Sequence, residues 1–304
     1  MTDRILPSWR DGATRDAILA FLDRVDEIPL EQRVAVFDND GTMWAEKPNY
    51  TQLEFLLHEL TTAIDADASL SERPEFRALL DHDRDALEEM GLERVVFALV
   101  DLHKGLTPEE FNARVAGFFA TARHPDRGCL YRGQRYQPML ELMDELRAHG
   151  FDFYIVTGGG SEFVRVIAEE FYGVKPEGVV GSQVAYEIDP LDDGSLRLLR
   201  TADIVASGPN EGTTKPTNIQ RILGRRPVVA GGNSAGDAEM LQYAESYDGP
   251  SLALLVDHDD AEREYAYESK AGTFESDETI LETAARLDWT VVSMKNDWET
   301  VFPD

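Results

Sequence analysis

Val34-Ala35-Val36-Phe37 runs without a break into Asp38-Asn39-Asp40-Gly41-Thr42, and no other stretch restricts the fold as much. Four consecutive apolar residues fit a strand covered on both faces, as in the middle of a parallel sheet. Two carboxylates at the end of such a strand then face open space. Residues two apart on an extended backbone point the same way, so Asp38 and Asp40 crowd one small volume unless the chain turns between them. Like charges that close need an offset, either a metal ion or a proton kept on one of the pair.

The rest of the chain supports a doubly wound (Rossmann-like), mostly parallel α/β core. Helical spacing of Ile18, Leu19, Phe21, Leu22 and Val25 precedes the first strand, and residues 51–125 are helical in pattern throughout. Thr107, Pro108 and Glu110 form a capping-box signature inside that block. From 136 onward strands and helices alternate: a helix from Pro138 to Gly150, a strand over 151–157 followed by Gly158-Gly159-Gly160, and a helix over 161–172. A strand near GVVGSQV, a hairpin around IDPLDDGSLRLL, a helix near 216–223 and a strand over 227–232 follow. A helix from Asp237 to Ala244 and strands in SLALLVDH and WTVVSM complete the pattern. We therefore expect an α/β core of residues 1–45 and 133–304, with a helical cap of residues 46–132 inserted after the first core strand.

Charge narrows the partners. The 304 residues carry 58 acidic and 29 basic side chains, a formal net charge of -29. That excess repels phosphate backbones and anionic lipid, so neither nucleic acid nor a membrane surface is an expected partner. A small phosphorylated substrate must meet locally placed cations. High ionic strength would screen the self-repulsion, so a salty habitat is one reading of the excess. Cys129 is the single cysteine, which excludes an internal disulfide and makes a reducing, cytoplasmic setting the expectation.

In a doubly wound sheet, ligands bind beyond the carboxyl ends of the strands. Three polar clusters fall there: Asp38 to Thr42, Thr157 with its glycines, and Asn233-Ser234 with Asp237; Lys215 lies just before a helix. In this order they resemble the four motifs of the haloacid dehalogenase superfamily. D-x-D-G-T is met by Asp38 to Thr42, the strand-end Thr by Thr157, the Lys by Lys215, and G-D-x-x-x-D by GGNSAGD, where Asn233 stands at the first acid and Asp237 at the second. The resemblance covers about residues 30–45 and 136–245 and leans to the phosphoserine phosphatase-like branch, whose helical cap also lies between the first two motifs.

The chemistry of these side chains points the same way. A carboxylate attacking a phosphate ester needs surrounding negative charge neutralised. Asp38 is the expected nucleophile, forming an aspartyl-phosphate, and Asp40 the general acid and base, its pKa lifted by a neighbouring acid and partial burial. Mg²⁺ is hard and oxygen-seeking and suits such a site. The resemblance implies its ligands are the Asp38 carboxylate, the Asp40 carbonyl and the fourth motif, with Asn233 and Asp237 as alternatives. Thr157, Gly158, Lys215, Gly41 and Thr42 are the expected phosphate-binding residues.

A phospho-accepting receiver-like module uses a related set of residues, and a phosphotransferase could share the aspartyl-phosphate. The spacing of the acids, the chain length and the insert favour the hydrolase. Trp44, Glu46, Lys47 and Tyr50 read equally as hinge, substrate contact or packing. Arg73, Arg77, Arg94, Arg114 and Arg132 are candidates for a second anionic group of the substrate. His258 sits in an acidic, surface-like run, and Cys129 has no basic partner and reads as structural.

Overall fold

A computed structural model describes residues 4–205, 208–271 and 276–303. After α1 (Ala13–Leu22) comes β1 (Val34–Phe37). The insert follows as α2 (Thr51–Ala66), α3 (Pro74–Leu80), α4 (Arg84–Met90), α5 (Leu92–Asp101) and α6 (Pro108–Thr121). The core resumes with α7 (Gln137–Ala148), β2 (Asp152–Gly160), α8 (Ser161–Tyr172) and β3 (Val179–Ser182). A hairpin of β4 (Val184–Pro190) and β5 (Leu196–Ile204) leads to α9 (Thr214–Leu223), β6 (Val229–Gly232), α10 (Ala238–Glu245) and β7 (Leu252–Asp257). The chain closes with α11 (Ile280–Leu287), β8 (Thr290–Ser293) and α12 (Met294–Asp297).

Six strands form one sheet in the order β3-β2-β1-β6-β7-β8, and every neighbouring pair is parallel. The chain winds outward from β1 in one direction and from β6 in the other, so the order reverses between these two strands. Their register sets Phe37 beside Gly231, and the Asp38 N-H donates to the Gly231 carbonyl at 2.9 Å. The ends of β1 and β6 therefore open at the switch point, where such sheets place their ligands.

All four residues of β1 are buried, as the unbroken apolar run requires. Val34 and Val36 face a cluster with Val156, Val180, Ile219, Ala230 and Leu255. Ala35 and Phe37 face the opposite cluster, with Ile155, Val179, Val229, Leu254 and Met139. Burying each such side chain contributes about 1.5–3 kcal/mol, so both faces hold the strand in place.

The insert is anchored by aromatic rings. Phe55 of α2 lies 5.8 Å from Phe111 and 5.6 Å from Phe118 of α6, and 5.4 Å from Phe163 of the core helix α8. Phe119 of α6 is also 5.4 Å from Phe163. The expected capping box is present, with Thr107 and Glu110 exchanging bonds at the start of α6. The hairpin braces the insert from the other side: Gly105 N-H donates to the Arg200 carbonyl and Arg200 N-H to the Leu106 carbonyl, both at 2.8 Å. The Arg200 guanidinium lies 3.7 Å from the Phe111 ring centroid and is paired with Glu162 of α8.

Candidate active site

The strand ends bring Asp38, Lys215 and Asp237 into contact. Lys215 Nζ donates to Asp38 Oδ1 at 2.6 Å, to Asp237 Oδ1 at 2.6 Å and to the Val156 carbonyl at 2.8 Å. An ammonium has three donors, and here all three are used. Lys215 is 2% exposed, so α9, entered at Thr214, delivers a fully buried cation to the end of β1.

Burial is the largest influence on the Asp38 carboxyl and pushes it upward, with the Asp237 carboxylate adding to the push and Lys215 opposing it. For Lys215, burial disfavours the ammonium, but Asp237 and Asp38 outweigh it and hold it above the ordinary lysine range. One cation thus serves two carboxylates. Asp237 is saturated: its Oδ2 accepts from the N-H groups of Asn233 and Ser234, both at 3.0 Å.

Asn39 turns the chain so that Asp38 and Asp40 are handled separately. Its carbonyl accepts from Met43 N-H at 2.8 Å and from Thr42 N-H at 3.3 Å, and its side-chain oxygen accepts from the Tyr172 hydroxyl at 2.9 Å. Asp40 Oδ1 takes the Trp44 indole N-H at 2.9 Å. Its carboxyl is pushed up to about 6, first by burial and then by Glu46, while Trp44 opposes the rise. The raised pKa was expected, but the neighbouring acid that contributes most is Glu46.

Two phosphate-binding expectations meet a different use in the structure. Gly41 N-H donates to the Trp44 carbonyl at 2.9 Å and Thr42 N-H to Asn39, so the loop consumes these donors itself. Gly41 adopts φ +76°, and a Cβ there would fall 2.0 Å from Asn233 Nδ2, which is why only glycine fits. Across the site, Thr157 is fully buried and its Oγ1 accepts from Gly159 N-H at 2.9 Å. The glycines extend β2 to Gly160 instead of forming a separate turn.

Residues 35–242 match the family model of haloacid dehalogenase-like hydrolases. The chain belongs to the haloacid dehalogenase-like hydrolases. A search of the curated proteins finds no match. Among solved structures, a protein of unknown function from Bordetella pertussis Tohama I is similar over 86% of this chain and 98% of its own, at 16% identity and a TM-score of 0.52, which is a likeness of fold. More distant are a phosphoserine phosphohydrolase-like protein from Francisella tularensis subsp. tularensis SCHU S4 and a substrate-bound phosphoserine phosphatase. The first has 17% identity, covers 84% of this chain and 99% of its own, and has a TM-score of 0.38. The second has 19% identity, covers 74% and 86%, and has a TM-score of 0.36.

In this haloacid dehalogenase-like chain the oxygens that could be offered to a cation are the Asp38 carboxylate, the Asp40 carbonyl and Asn233 Oδ1, Asp237 being engaged by Lys215 and two backbone N-H groups. Hard oxygens of this kind suit Mg²⁺. Asn233 Oδ1 lies 3.4 Å from the Thr42 hydroxyl and its Nδ2 lies 3.4 Å from Ser269 Oγ, so its amide is steadied at both ends. Among the described residues no group of three or more His, Cys, Asp or Glu side chains is placed to hold a metal. The fit to Mg²⁺ rests on the chemistry of the donors, one carboxylate and two neutral oxygens, all of them hard.

The roof comes from the insert and from the segment after β7. Gln52 Oε1 of α2 accepts from Gly160 N-H at 2.8 Å, tying insert to core beside the site. Partial burial raises the Tyr50 hydroxyl pKa, and Glu46, Asp40, Glu211 and Asp38 add to the rise. Lys47 Nζ lies 4.4 Å from the Tyr267 ring centroid, 5.6 Å from that of Tyr50 and 3.5 Å from Glu46 Oε1.

His258 departs from the surface reading. It is 2% exposed, its Nε2 lies 2.8 Å from the Gly41 carbonyl, and its ring stacks on Tyr267 with centroids 4.4 Å apart. Its Nδ1 is 3.4 Å from Glu264, whose other oxygen accepts from the Tyr136 hydroxyl at 3.1 Å. Four of the five candidate arginines have acidic neighbours: Arg73 pairs with Asp101, Arg94 with Glu75 and Arg114 with Glu59, while Arg132 lies 3.8 Å from Glu170. Cys129 Sγ accepts from Gln134 Nε2, consistent with a structural role.

Proposed function

We propose that this chain is a Mg²⁺-dependent phosphomonoester hydrolase that acts on a small phosphorylated metabolite through an aspartyl-phosphate on Asp38. The observation that carries the reading is the Lys215 ammonium, 2.6 Å from both Asp38 and Asp237 at the open end of β1. It opposes the upward push of burial and of Asp237 on the Asp38 carboxyl and fixes one carboxylate oxygen, which favours an anionic nucleophile facing a phosphate.

In the first step Asp38 forms a bond to phosphorus and the ester P-O bond breaks. Asp40 gives its proton to the departing alkoxide. Water then attacks the acyl phosphate, Asp40 takes a proton from it, and Asp38 leaves as a carboxylate. An Asp40 carboxyl near pH 6 is suited to both transfers. Thr157 and Gly158 border the phosphoryl position, while Gly41 and Thr42 shape the loop. Mg²⁺, held by Asp38, the Asp40 carbonyl and Asn233, would offset phosphoryl charge. Asp237, with both oxygens engaged, anchors Lys215.

Residues 46–132 act as the cap over a core of 1–45 and 133–304. The bond from Gly160 to Gln52 supports this assignment. Closure excludes water from the first step and exposes the leaving group to cap side chains. Hydrolysis of an aryl phosphate tests the reading. Many phosphates released per protein, abolished by EDTA and by Asp38→Asn, are expected, whereas a single turnover would indicate a phospho-acceptor.

A further inference from the structure

The β4–β5 hairpin leaves much of one face uncovered. Tyr186 stands opposite Arg200, Ile188 opposite Leu198 and Pro190 opposite Leu196, so these six side chains share that face. At its base the face is packed: Arg200 lies over Phe111 and pairs with Glu162, and the Tyr186 hydroxyl donates to the same carboxylate. Toward the tip the cover ends. Ile188 is 64% and Leu196 68% exposed, with Leu198, Pro190 and the turn residue Leu191 exposed beside them. Of the twelve exposed large apolar side chains among the described residues, five fall between 186 and 198, so the apolar surface is concentrated here. β4 and β5 form a sheet of their own, and a two-stranded hairpin is marginal in water without a packed face.

At about 200 Å² for a fully exposed side chain of this size, the five present roughly 500 Å². That is near the upper limit for an apolar patch on a monomer, and over half of the roughly 800 Å² that each partner gives to a stable dimer. An open pocket of about 180 Å³ adjoins the base of the hairpin, lined by Tyr186, Pro108, Val166, Pro176 and Arg165 among others. A cavity of that size takes a group as large as a benzene ring. We propose that the hairpin is a self-association surface: two copies of the chain dock about a two-fold axis, with Ile188, Leu196 and Leu198 of each against the Tyr186 pocket of the other. Charge fits this occupant. Arg165 lines the pocket, and the turn carries exposed Asp192 and Asp193. Asp193 accepts from the Ser195 N-H at 2.9 Å, so Asp192 is the acid offered to Arg165 of the second copy. A two-fold axis makes both cross-copy pairs at once. The acidic tip and the formal net charge of -29 disfavour nucleic acid and anionic lipid on this surface.

The proposal does not depend on the phosphomonoesterase reading. Two such acidic chains repel through solvent, so salt, which screens that repulsion and leaves apolar burial intact, is expected to strengthen the dimer. Sedimentation velocity of the full chain across protein concentration, at low and at high NaCl, tests it. A dimer whose Kd falls by about tenfold from low to high salt is expected. Leu196→Glu and Ile188→Lys alter exposed positions, which disturbs the fold little, and each is expected to weaken association by about tenfold or more. A monomer at every concentration and salt overturns the proposal, and so does a dimer that both variants leave intact or one that dissociates as salt rises. If the variants do not fold, hydrogen exchange of the natural chain decides alone. Protection over 184–204 and 162–176 that grows with protein concentration is expected, and protection gained elsewhere or nowhere overturns the proposal.

Discussion

The floor and the roof of the site are built on opposite terms. The floor, at the ends of β1, β2 and β6, packs ionised and polar groups so that each satisfies another: Lys215 bonds to three acceptors, and Asp237 accepts at both oxygens. The roof, from the insert, is held by apolar rings at Phe55, Phe111, Phe118 and Phe119 and reaches the floor through single contacts such as Gln52. Buried charges tolerate little displacement, because an unpaired one is costly. Ring packing permits more, since a shift of one ring exchanges one contact for another. The floor thereby fixes the chemistry, and the roof remains free to differ in what it admits.

The contrast breaks first, and most severely, at Lys215. Lys215→Met leaves Asp38 and Asp237 facing each other in a buried site, and is expected to cost about 3–5 kcal/mol of unfolding free energy by denaturant titration and to abolish aryl phosphate turnover. A stable variant with intact turnover would show that the floor does not depend on its cation.

The next largest effect is expected at His258, which holds the Gly41 carbonyl at 2.8 Å from outside the floor. His258→Phe keeps the stack on Tyr267 and loses that bond, so kcat should fall about 10- to 100-fold with KM little changed. His258→Gln, which can still donate, should recover most of it. Equal losses in both variants, or a change confined to KM, would place His258 in packing alone.

A smaller effect is expected in the roof. Burial pushes the Glu59 carboxyl up, but His103 and Arg114 outweigh it and hold it below the usual range. A carboxyl depressed on folding stabilises the folded state above its unfolded pKa, and that contribution is lost as pH falls through the folded value. Glu59→Gln should therefore cost about 1 kcal/mol at pH 7. The gap to the natural chain should close as pH drops below about 4.5. A gap independent of pH would remove charge from the explanation.

The same contrast governs what the sequence made visible. Asp38, Thr157 and Asn233 stood out because an apolar run ends at each, and a parallel sheet brings the ends of such runs to one edge. The doubly wound order follows from strand and helix alternation. Lys215 was visible as a residue but not as a three-way bridge, because α9 had to be docked before its partners were known. His258 was missed although it carries the same signal, following the apolar run of β7; the acids of VDHDDAERE masked it. In the roof no comparable signal exists. Helical spacing marks the buried face of α2, but nothing in it distinguishes Gln52, which meets the core, from polar neighbours in solvent. Arg73, Arg94 and Arg114 looked available for substrate because their partners Asp101, Glu75 and Glu59 are distant from them in sequence.

The central claim is a covalent bond between phosphorus and the side chain at 38. Acid quenching during steady turnover of an aryl phosphate, followed by peptide mapping by mass spectrometry, tests it directly. A hydroxylamine-labile phosphoryl group on the peptide containing Asp38, absent from Asp38→Asn, is the predicted result. Phosphate trapped on another residue, or sustained turnover by Asp38→Asn, would contradict it.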